Sequence, residues 1–497
     1  MERRDFLRAG GIALSAGGAP GQRTAARKKL PNIVLILGDD VGQGDLTCYN
    51  RDSKIPTPFM DRVAAGGVRF TDAHSPSALC SPTRYGLLTG RYAWRTRLQK
   101  FVLLSYDPPL IEPARMTAGS LLQKSGYATA WIGKWHVGLE WPTTDGSPAE
   151  NAVNRDAPGQ TDPRLQEKID FTKPIRGGPT SLGFDYFFGT SACSTSDPPY
   201  CFIENDRTVA VPTRMSPEDW RGLPGFVPGP MTDDWSQTDC DFTLTRKAIG
   251  YIDGHLQKNT QQPFFVVLST NSPHNPFLVP DAMKGKSQAG SRGDLVTVVD
   301  WAVGQMDGHL AQRGLMNDTL FIVTSDNGAM RGEHGHHSAN GFRGNKASVY
   351  EGGTRVPFIA RWPGRIRPGT TSAETISLID LCATFAALTG TKLPDNAAED
   401  SRDVLPAILG RKTGRPLHEA MVFDSGMGHF AIRQGRWKAI AGTLDDLKAI
   451  AANEKPGQLY DLVADPGEQH DLWPQHLDRA RRMIALLQRY RTGGRSR

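Results

Sequence analysis

Two pairs of oxygen-bearing side chains stand where they could hold a metal ion. Asp39 and Asp40 closely follow one short apolar run, and Asp326 and Asn327 closely follow another. Carboxylate and amide oxygens suit calcium, or magnesium, rather than zinc. Adjacent aspartates would also repel each other without a cation between them. Either pair alone is more often a loop or capping feature, but the two pairs together predict a calcium-type site.

A cysteine stands at the start of a predicted helix. In the segment Cys80-Ser81-Pro82-Thr83-Arg84 the proline favours the first helical turn, which places Cys80 at the helix N-terminus. The helix dipole and the free N–H groups there attract anions. Arg84 follows about one turn later and can face the same side. A lone cysteine is usually a buried structural thiol, so a reactive role depends on these neighbours.

Four further basic side chains are candidates for acid–base chemistry or anion binding. Lys134 and His136 come after one apolar run, and His274 comes after another. Lys346 lies in a segment rich in glycine and basic residues. Taken alone, His274 could be an ordinary loop histidine and Lys346 a solvated surface lysine.

The elements that must position these groups are short apolar runs at residues 32–37, 127–132, 264–268 and 320–324. Such runs are typical of strands buried on both faces of a parallel sheet. Helical patterns lie between them, for example at residues 58–65 and 295–310. This alternation predicts an α/β sheet with right-handed crossovers. Because ligands bind beyond the carboxyl ends of such strands, the candidate groups are expected to converge on one site.

The composition indicates a globular chain. Of 497 residues, 38% are hydrophobic and 22% are charged, and no apolar run approaches the roughly 18 residues that span a bilayer. The net charge is +6, but seven basic and two acidic residues fall within residues 1–29, which leaves the remainder close to neutral. That balance gives no support for a nucleic-acid binder. We therefore expect neither a nucleic-acid partner nor a membrane span.

Residues 1–29 are predicted to be an export signal. The pattern Arg3-Arg4-Asp5-Phe6-Leu7 precedes a weakly apolar stretch and resembles a bacterial twin-arginine signal. The expected location is therefore periplasmic or secreted, with the twin-arginine machinery as an export partner; an ordinary disordered N-terminus is the alternative.

Six cysteines without a C-x-x-C pair exclude a disulfide scaffold. A bond between Cys193 and Cys201 stays open.

Several of these segments together resemble the formylglycine-dependent (type I) sulfatase family, of the arylsulfatase and N-acetylgalactosamine-6-sulfatase type. Cys80-Ser81-Pro82-Thr83-Arg84 matches its C-x-P-x-R signature. The other matching segments follow in order along residues 31–472: Gly38-Asp39-Asp40, Thr57-Pro58, Gly133-Lys134-Trp135-His136, Ser325-Asp326-Asn327-Gly328, Arg343-Gly344-Asn345-Lys346, Glu351-Gly352-Gly353-Thr354-Arg355 and Leu459-Tyr460-Asp461.

The resemblance implies an alkaline-phosphatase-like fold, an α/β architecture in which a large mixed-sheet domain precedes a smaller one. We place the catalytic domain at residues 30–400 and the smaller C-terminal α+β domain at residues 401–497. Strands predicted at residues 420–423, 430–433, 436–440 and 458–460, with a helix at residues 475–490, give the smaller domain an antiparallel sheet plus a helix.

The resemblance also implies a function, the hydrolysis of sulfate monoesters, with a sulfated small molecule or glycan as the substrate. Cys80 would be oxidised by a formylglycine-generating enzyme, and one hydroxyl of the hydrated aldehyde would attack sulfur while the other allows sulfate to leave. The implied roles are calcium binding by Asp39, Asp40, Asp326, Asn327 and the modified Cys80, support of the hydrated aldehyde by Arg84, sulfate binding by Lys134 and Lys346, a base in His136 and an acid in His274.

Two alternative functions are considered for the same site: a phosphate or phosphonate ester hydrolase, and a non-catalytic binder of sulfated glycans.

A His-rich segment, Glu333-His334-Gly335-His336-His337, fits no zinc motif and is expected to be a mobile loop that contacts substrate. The segment 196–206 is expected to line the pocket for the leaving group.

Overall fold

The computed structural model describes residues 29–149, 163–259, 261–411, 414–452 and 454–497. Nearly all of the predicted signal segment, residues 1–29, lies outside these ranges. Within the described part, no helix is both long and apolar enough to cross a bilayer.

The strands are given in chain order. They are β1 (Asn32–Gly38), β2 (Val68–Phe70), β3 (Ala73–His74), β4 (Ala128–Lys134), β5 (Tyr186–Thr190), β6 (Ile203–Glu204), β7 (Arg207–Thr208), β8 (Arg214–Met215), β9 (Pro230–Met231), β10 (Phe264–Ser269), β11 (Thr319–Ser325), β12 (Phe358–Arg361), β13 (Thr370–Ser372), β14 (Ile376–Ser377), β15 (Met421–Asp424), β16 (Phe430–Gln434), β17 (Trp437–Gly442) and β18 (Gln458–Asp461).

The helices are numbered in the same way. They are α1 (Pro58–Ala65), α2 (Cys80–Thr89), α3 (Ala118–Lys124), α4 (Pro163–Lys168), α5 (Cys240–Lys258), α6 (Gly290–Gln312), α7 (Glu351–Thr354), α8 (Leu381–Thr389), α9 (Leu405–Ile408), α10 (Leu444–Ala451) and α11 (Leu477–Thr492).

A ten-stranded sheet lies at the centre of the larger, N-terminal unit, with its strands in the order β13-β2-β12-β11-β1-β10-β4-β5-β6-β7. Its centre, β11-β1-β10-β4-β5, is parallel, whereas β12 and β6 run antiparallel to their inner neighbours. In register, Leu35 of β1 lies between Val267 of β10 and Ile322 of β11. The predicted α/β fold with a large mixed sheet is confirmed.

The apolar runs are continuous because both faces of the central strands are covered. Along β1, Ile33, Leu35 and Leu37 pack into one apolar core, and Val34 and Ile36 pack into the other. The period-two alternation of strand side chains sends successive residues to opposite faces, so a strand with two buried faces must be apolar throughout.

The smaller C-terminal unit is an antiparallel sheet, β15-β16-β17-β18, with α11 against it. Ile432 of β16 and Ala439 of β17 share an apolar core with Met483 and Leu487 of α11. The prediction of a short antiparallel sheet plus a closing helix is therefore confirmed. This sheet meets the larger unit close to Cys80, since the amide of Ala78 donates to the carbonyl of Asp424 at 2.9 Å.

Candidate active site

The four strands that precede the candidate residues are neighbours in the sheet. β11, β1, β10 and β4 lie side by side and parallel, so their carboxyl ends share one edge. That edge brings together Asp39 after β1, Lys134 at the end of β4 and Asp326 after β11. Convergence at the carboxyl edge, expected from the sequence, is what the structure shows.

Three carboxylates and a thiol form the centre of this site. Asp39, Asp40, Cys80 and Asp326 are all buried, and each offers one ligand atom within 4.8 Å of the others. Asn327 completes the group: its Nδ2 donates to Oδ1 of Asp40 at 2.6 Å. Its buried Oδ1 has no hydrogen-bond partner among the described residues. Because buried polar atoms are almost always paired, an unpaired oxygen beside three carboxylates fits a bound divalent cation.

Asp39 and Asp326 have pKa values shifted in opposite directions. Burial opposes the charge of Asp39, but Lys134, His274 and Arg84 outweigh it and hold the pKa of Asp39 well below its usual range. The pKa of Asp326 is raised by burial and by the negative charge of Asp39. A cation between them would remove this conflict, since it favours the charged form of both groups.

Cys80 is the first residue of α2, and its Sγ lies 3.5 Å from Oδ1 of Asp39. Burial, Asp326 and Asp39 together raise the pKa of the thiol well above its usual value. Reactive cysteines require the opposite shift, because the thiolate is the nucleophile. The unmodified side chain is therefore poorly suited to attack a substrate, in spite of its place at a helix N-terminus.

Arg84 ties the helix of Cys80 to three strands. Its Nε and Nη2 donate to Oδ2 of Asp326 at 3.0 and 2.8 Å. Its Nη1 donates to the carbonyl of Lys134 at 2.9 Å and to Oγ of Ser269 at 2.6 Å. The side chain is fully buried, so this planar, always charged group fixes the position of the carboxylate cluster relative to α2. Ser269 was not singled out by the sequence.

Two lysines neutralise the adjacent aspartates. Nζ of Lys134 lies 2.5 Å from Oδ2 of Asp39, and Nζ of Lys346 lies 2.8 Å from Oδ2 of Asp40. Lys134 is fully buried, whereas the side chain of Lys346 keeps 14% of its surface exposed. Each ammonium group is therefore paired with one carboxylate of the cluster.

The two histidines differ in which ring nitrogen is left without a hydrogen-bond partner. Nε2 of His136 lies 2.9 Å from the carbonyl of Leu103, and a carbonyl only accepts, so Nε2 carries the proton. Nδ1 of His136 is then a lone-pair acceptor, and it is buried without a partner among the described residues. Nδ1 of His274 donates to the carbonyl of Asn275 at 2.6 Å, which leaves Nε2 for a ligand.

His274 faces the centre of the site directly. One of its ring nitrogens lies within 4.8 Å of ligand atoms of Asp39 and Cys80. Burial and the charge of Lys346 lower the pKa of His274, which favours its neutral form. The segment 193–197 lies beside it, since Oγ1 of Thr195 donates to the carbonyl of Asn275 at 3.1 Å. Contacts thus join nine of the ten candidate residues in one cluster, and His136 follows Lys134 of that cluster by two residues.

Other sequence expectations have more varied outcomes. In the His-rich segment His334 and His337 are exposed, whereas His336 is buried, and its Nε2 lies 3.0 Å from Oδ1 of Asp45. Cys193 and Cys201 carry free thiols. A further group of ligand-type side chains is already neutralised by buried cations: it consists of Asp72, His74 and Glu351, held by Arg355, Arg433 and Lys438.

Family models match almost the whole described chain. The model for sulfatases matches residues 31–391. A second model, for the C-terminal part of N-sulphoglucosamine sulphohydrolase, matches residues 332–490.

Individual relatives support the same assignment. The chain is 33% identical to an N-acetylgalactosamine-6-O-sulfatase of Bacteroides thetaiotaomicron over 93% of each protein. It is 32% identical to human arylsulfatase A, with 93% of this chain and 85% of that protein covered. A solved Bacteroides thetaiotaomicron structure concerned with metabolism of multiple glycosaminoglycans superposes with a TM-score of 0.78 at 31% identity, covering 93% of this chain and 100% of the other. The chain belongs to the family of formylglycine-dependent sulfatases and is a sulfuric ester hydrolase.

Proposed function

We propose that the chain hydrolyses sulfate monoesters on a carbohydrate of the glycosaminoglycan type, with Cys80 modified to formylglycine and calcium as the metal. The observation that carries this proposal is the buried cluster in which Asp39, Asp40, Cys80 and Asp326 lie within 4.8 Å of one another. The carbohydrate is supported by the N-acetylgalactosamine-6-O-sulfatase relative, which matches over 93% of this chain.

The proposed metal ligands are Asp39, Asp40, Asp326, Asn327 and the modified Cys80. All of them offer oxygen once Cys80 has been oxidised, which favours calcium, or magnesium, over zinc. A bound cation would polarise the sulfate group and lower the pKa of a hydroxyl beside it. The unpaired Oδ1 of Asn327 supports its inclusion in the set.

The proposed nucleophile is the modified Cys80, because the raised pKa of the thiol argues against attack by sulfur. Modification would supply a hydrated aldehyde with two hydroxyl groups. One oxygen bonds to sulfur while the bond between sulfur and the alcohol oxygen breaks. The other hydroxyl then loses its proton, the bond between carbon and the sulfate oxygen breaks, and the aldehyde is restored. Arg84 is proposed to support this side chain. Its guanidinium is fixed by Asp326, Ser269 and the carbonyl of Lys134.

The lysines and histidines are proposed to complete the reaction. Lys134 and Lys346 bind sulfate oxygens and stabilise the charge that builds up as sulfur is attacked. His136 takes a proton through its unpaired Nδ1 during release of sulfate. His274 gives a proton from Nε2 to the leaving oxygen. An anionic substrate would raise the pKa of His274 and so favour the protonated form that this role needs.

Maturation and location belong to the same proposal. We propose that a formylglycine-generating enzyme modifies Cys80 and that the twin-arginine machinery then exports the folded protein to the periplasm or the medium. Modification before export is compatible with the burial of Cys80, because a fully buried side chain must be modified before the domain folds around it.

The test measures sulfate released from defined sulfated mono- and disaccharides and from an aryl sulfate, and phosphate released from an aryl phosphate. Mass spectrometry must first show that Cys80 carries the aldehyde. We expect turnover of a sulfated amino sugar and much slower turnover of the aryl phosphate. Faster turnover of the phosphate would favour a phosphate ester hydrolase. Release of sulfate from the aryl sulfate alone would contradict the carbohydrate assignment.

A further inference from the structure

A buried arginine behind the metal site has no role in the proposed chemistry. Arg292, near the start of α6, is 1% exposed. Its Nη2 donates to the backbone carbonyl of Asp40 at 2.8 Å. Its Nη1 and Nη2 also donate to Oδ1 and Oδ2 of Asp45, at 2.9 and 2.7 Å. We propose that Arg292 is a positioning residue, which holds the loop of residues 40–45 so that the carboxylate of Asp40 points into the metal site.

Asp40 requires such support because its backbone is in the left-handed region, with φ at 68°. For a residue with a side chain this conformation costs on the order of 1–3 kcal/mol and persists only when the surroundings hold it. At the other end of Asp40, Asn327 and Lys346 hold the carboxylate at 2.6 and 2.8 Å. Arg292 is the contact that holds the carbonyl.

Asp45 closes the same loop. Its Oδ2 accepts from the amide of Gly42 at 2.8 Å, so Arg292 and Asp45 bridge residues 40, 42 and 45. Burial would raise the pKa of Asp45, but the charge of Arg292 outweighs it and keeps the pKa well below the usual range. Arg292 and Asp45 therefore form a charged pair, in which Nη1 and Nη2 of the guanidinium and both carboxylate oxygens make hydrogen bonds.

The segment 336–338 supports the pair from outside. The amide of Lys54 lies 3.5 Å from Nδ1 of His336, which leaves Nε2 to donate to Asp45. Oγ of Ser338 accepts from Nη1 of Arg292 at 2.8 Å. His336 thus acts on the metal site through Asp45 and Arg292, rather than through contact with substrate.

A second buried arginine–aspartate pair, Arg95 and Asp400, serves as the control. It separates a positioning role of Arg292 at the metal site from a contribution to the stability of the fold alone. Nε and Nη2 of Arg95 donate to Oδ2 and Oδ1 of Asp400 at 2.8 Å each, and both side chains are almost fully buried. No contact of Arg95 that the structure records reaches the proposed metal ligands. Replacing either arginine by lysine keeps the charge but removes the two-pronged geometry.

The experiment measures calcium affinity by calorimetry, after chelation, for wild type, Arg292→Lys and Arg95→Lys, together with the melting temperature of each chelated protein. We expect Arg292→Lys to weaken calcium binding by about tenfold or more, the usual effect of losing a residue that orients a ligand. Arg95→Lys should lower the melting temperature without changing calcium affinity. Should Arg292→Lys not fold, Asp45→Asn keeps the side-chain shape and carries the same test.

This inference rests on the metal site of the proposed function, and the experiment separates the two. Failure of the wild type to bind calcium or magnesium would overturn the metal site itself, and this inference with it. Calcium binding by the wild type with an equal affinity in Arg292→Lys, or an equal loss in Arg95→Lys, would overturn only the positioning role of Arg292.

Discussion

Sγ of Cys80 lies 3.5 Å from Oδ1 of Asp39, and both side chains are buried. Burial and the carboxylates of Asp326 and Asp39 raise the pKa of an unmodified thiol in this position, which favours its neutral form. The same position places a hydroxyl of a modified side chain beside the proposed metal ligands. The following predictions concern this relationship and the groups around it.

Cys80→Ser should reduce steady-state turnover by at least about 10³-fold while the protein stays folded, because the nucleophile is lost. Serine has no second hydroxyl, so any sulfated serine cannot break down by elimination. Cys382→Ser is the control, since Cys382 is equally buried in α8 and belongs to the core behind the sheet. Turnover by Cys80→Ser close to that of the wild type would refute the mechanism.

Asp326→Ala should abolish both activity and the rise in melting temperature on addition of calcium. A ligand that binds only the folded state stabilises it, and loss of one carboxylate weakens that binding. Asp300→Asn is the control, because Asp300 is a buried acid that accepts the amide of Met60 at 2.8 Å at the start of α1. Stoichiometric zinc without calcium or magnesium in active wild-type protein would contradict the oxygen-ligand assignment.

The two histidines should respond differently to the leaving group. His274→Ala should slow hydrolysis of a sugar sulfate far more than that of an aryl sulfate, because a phenolate leaves readily without a proton. His136→Ala should slow both substrates alike, with a burst of alcohol before the slow release of sulfate. An equal reduction in the rates of hydrolysis of both substrates by His274→Ala would contradict the proposal that His274 is the acid.

Asp424 should make stability depend on pH. Burial raises the pKa of this carboxyl from the usual 3.8 to about 7, although Oγ of Ser77 donates to it at 3.1 Å. Between these values the folded state holds a proton that the unfolded state has lost, so the free energy of unfolding falls as pH rises from 3.8 to about 7.

Asp424→Asn removes this titration, so its melting temperature relative to the wild type should increase from about pH 5 to about pH 8. The melting temperatures of both proteins across that range provide the measurement. Ser77→Ala is the control, because it removes the hydrogen bond and retains the titrating carboxyl. A constant difference between Asp424→Asn and wild type would contradict the raised pKa.

Replacement of Arg3 and Arg4 by lysine should trap active enzyme in the cytoplasm, because the twin-arginine route recognises the arginine pair and folding does not depend on it. Cell fractionation followed by an assay of each compartment measures this. Unchanged export of the double variant would refute the route, and a mature protein that retains residues 1–29 would refute cleavage.

The sequence by itself predicted the central strands, the helix that begins at Cys80, the small C-terminal sheet and the residues that meet at one edge. Each of these depends on local information. A strand buried on both faces must be apolar along its length, and Pro82 marks a helix start within one turn. Parallel strands place their ends at the same edge, so convergence follows without knowledge of their order.

Only the tertiary structure decided which side chains pair across that edge. Arg84 and Asp326 are 242 residues apart, and Arg292 and Asp45 are 247 apart. The proton position on His136 depends on the carbonyl of Leu103, and the burial of His336 depends on Asp45. Apolar strands carry no local mark of which neighbour or register they take, so contacts that depend on strand order and on the approach of α6 arise only when the chain is packed.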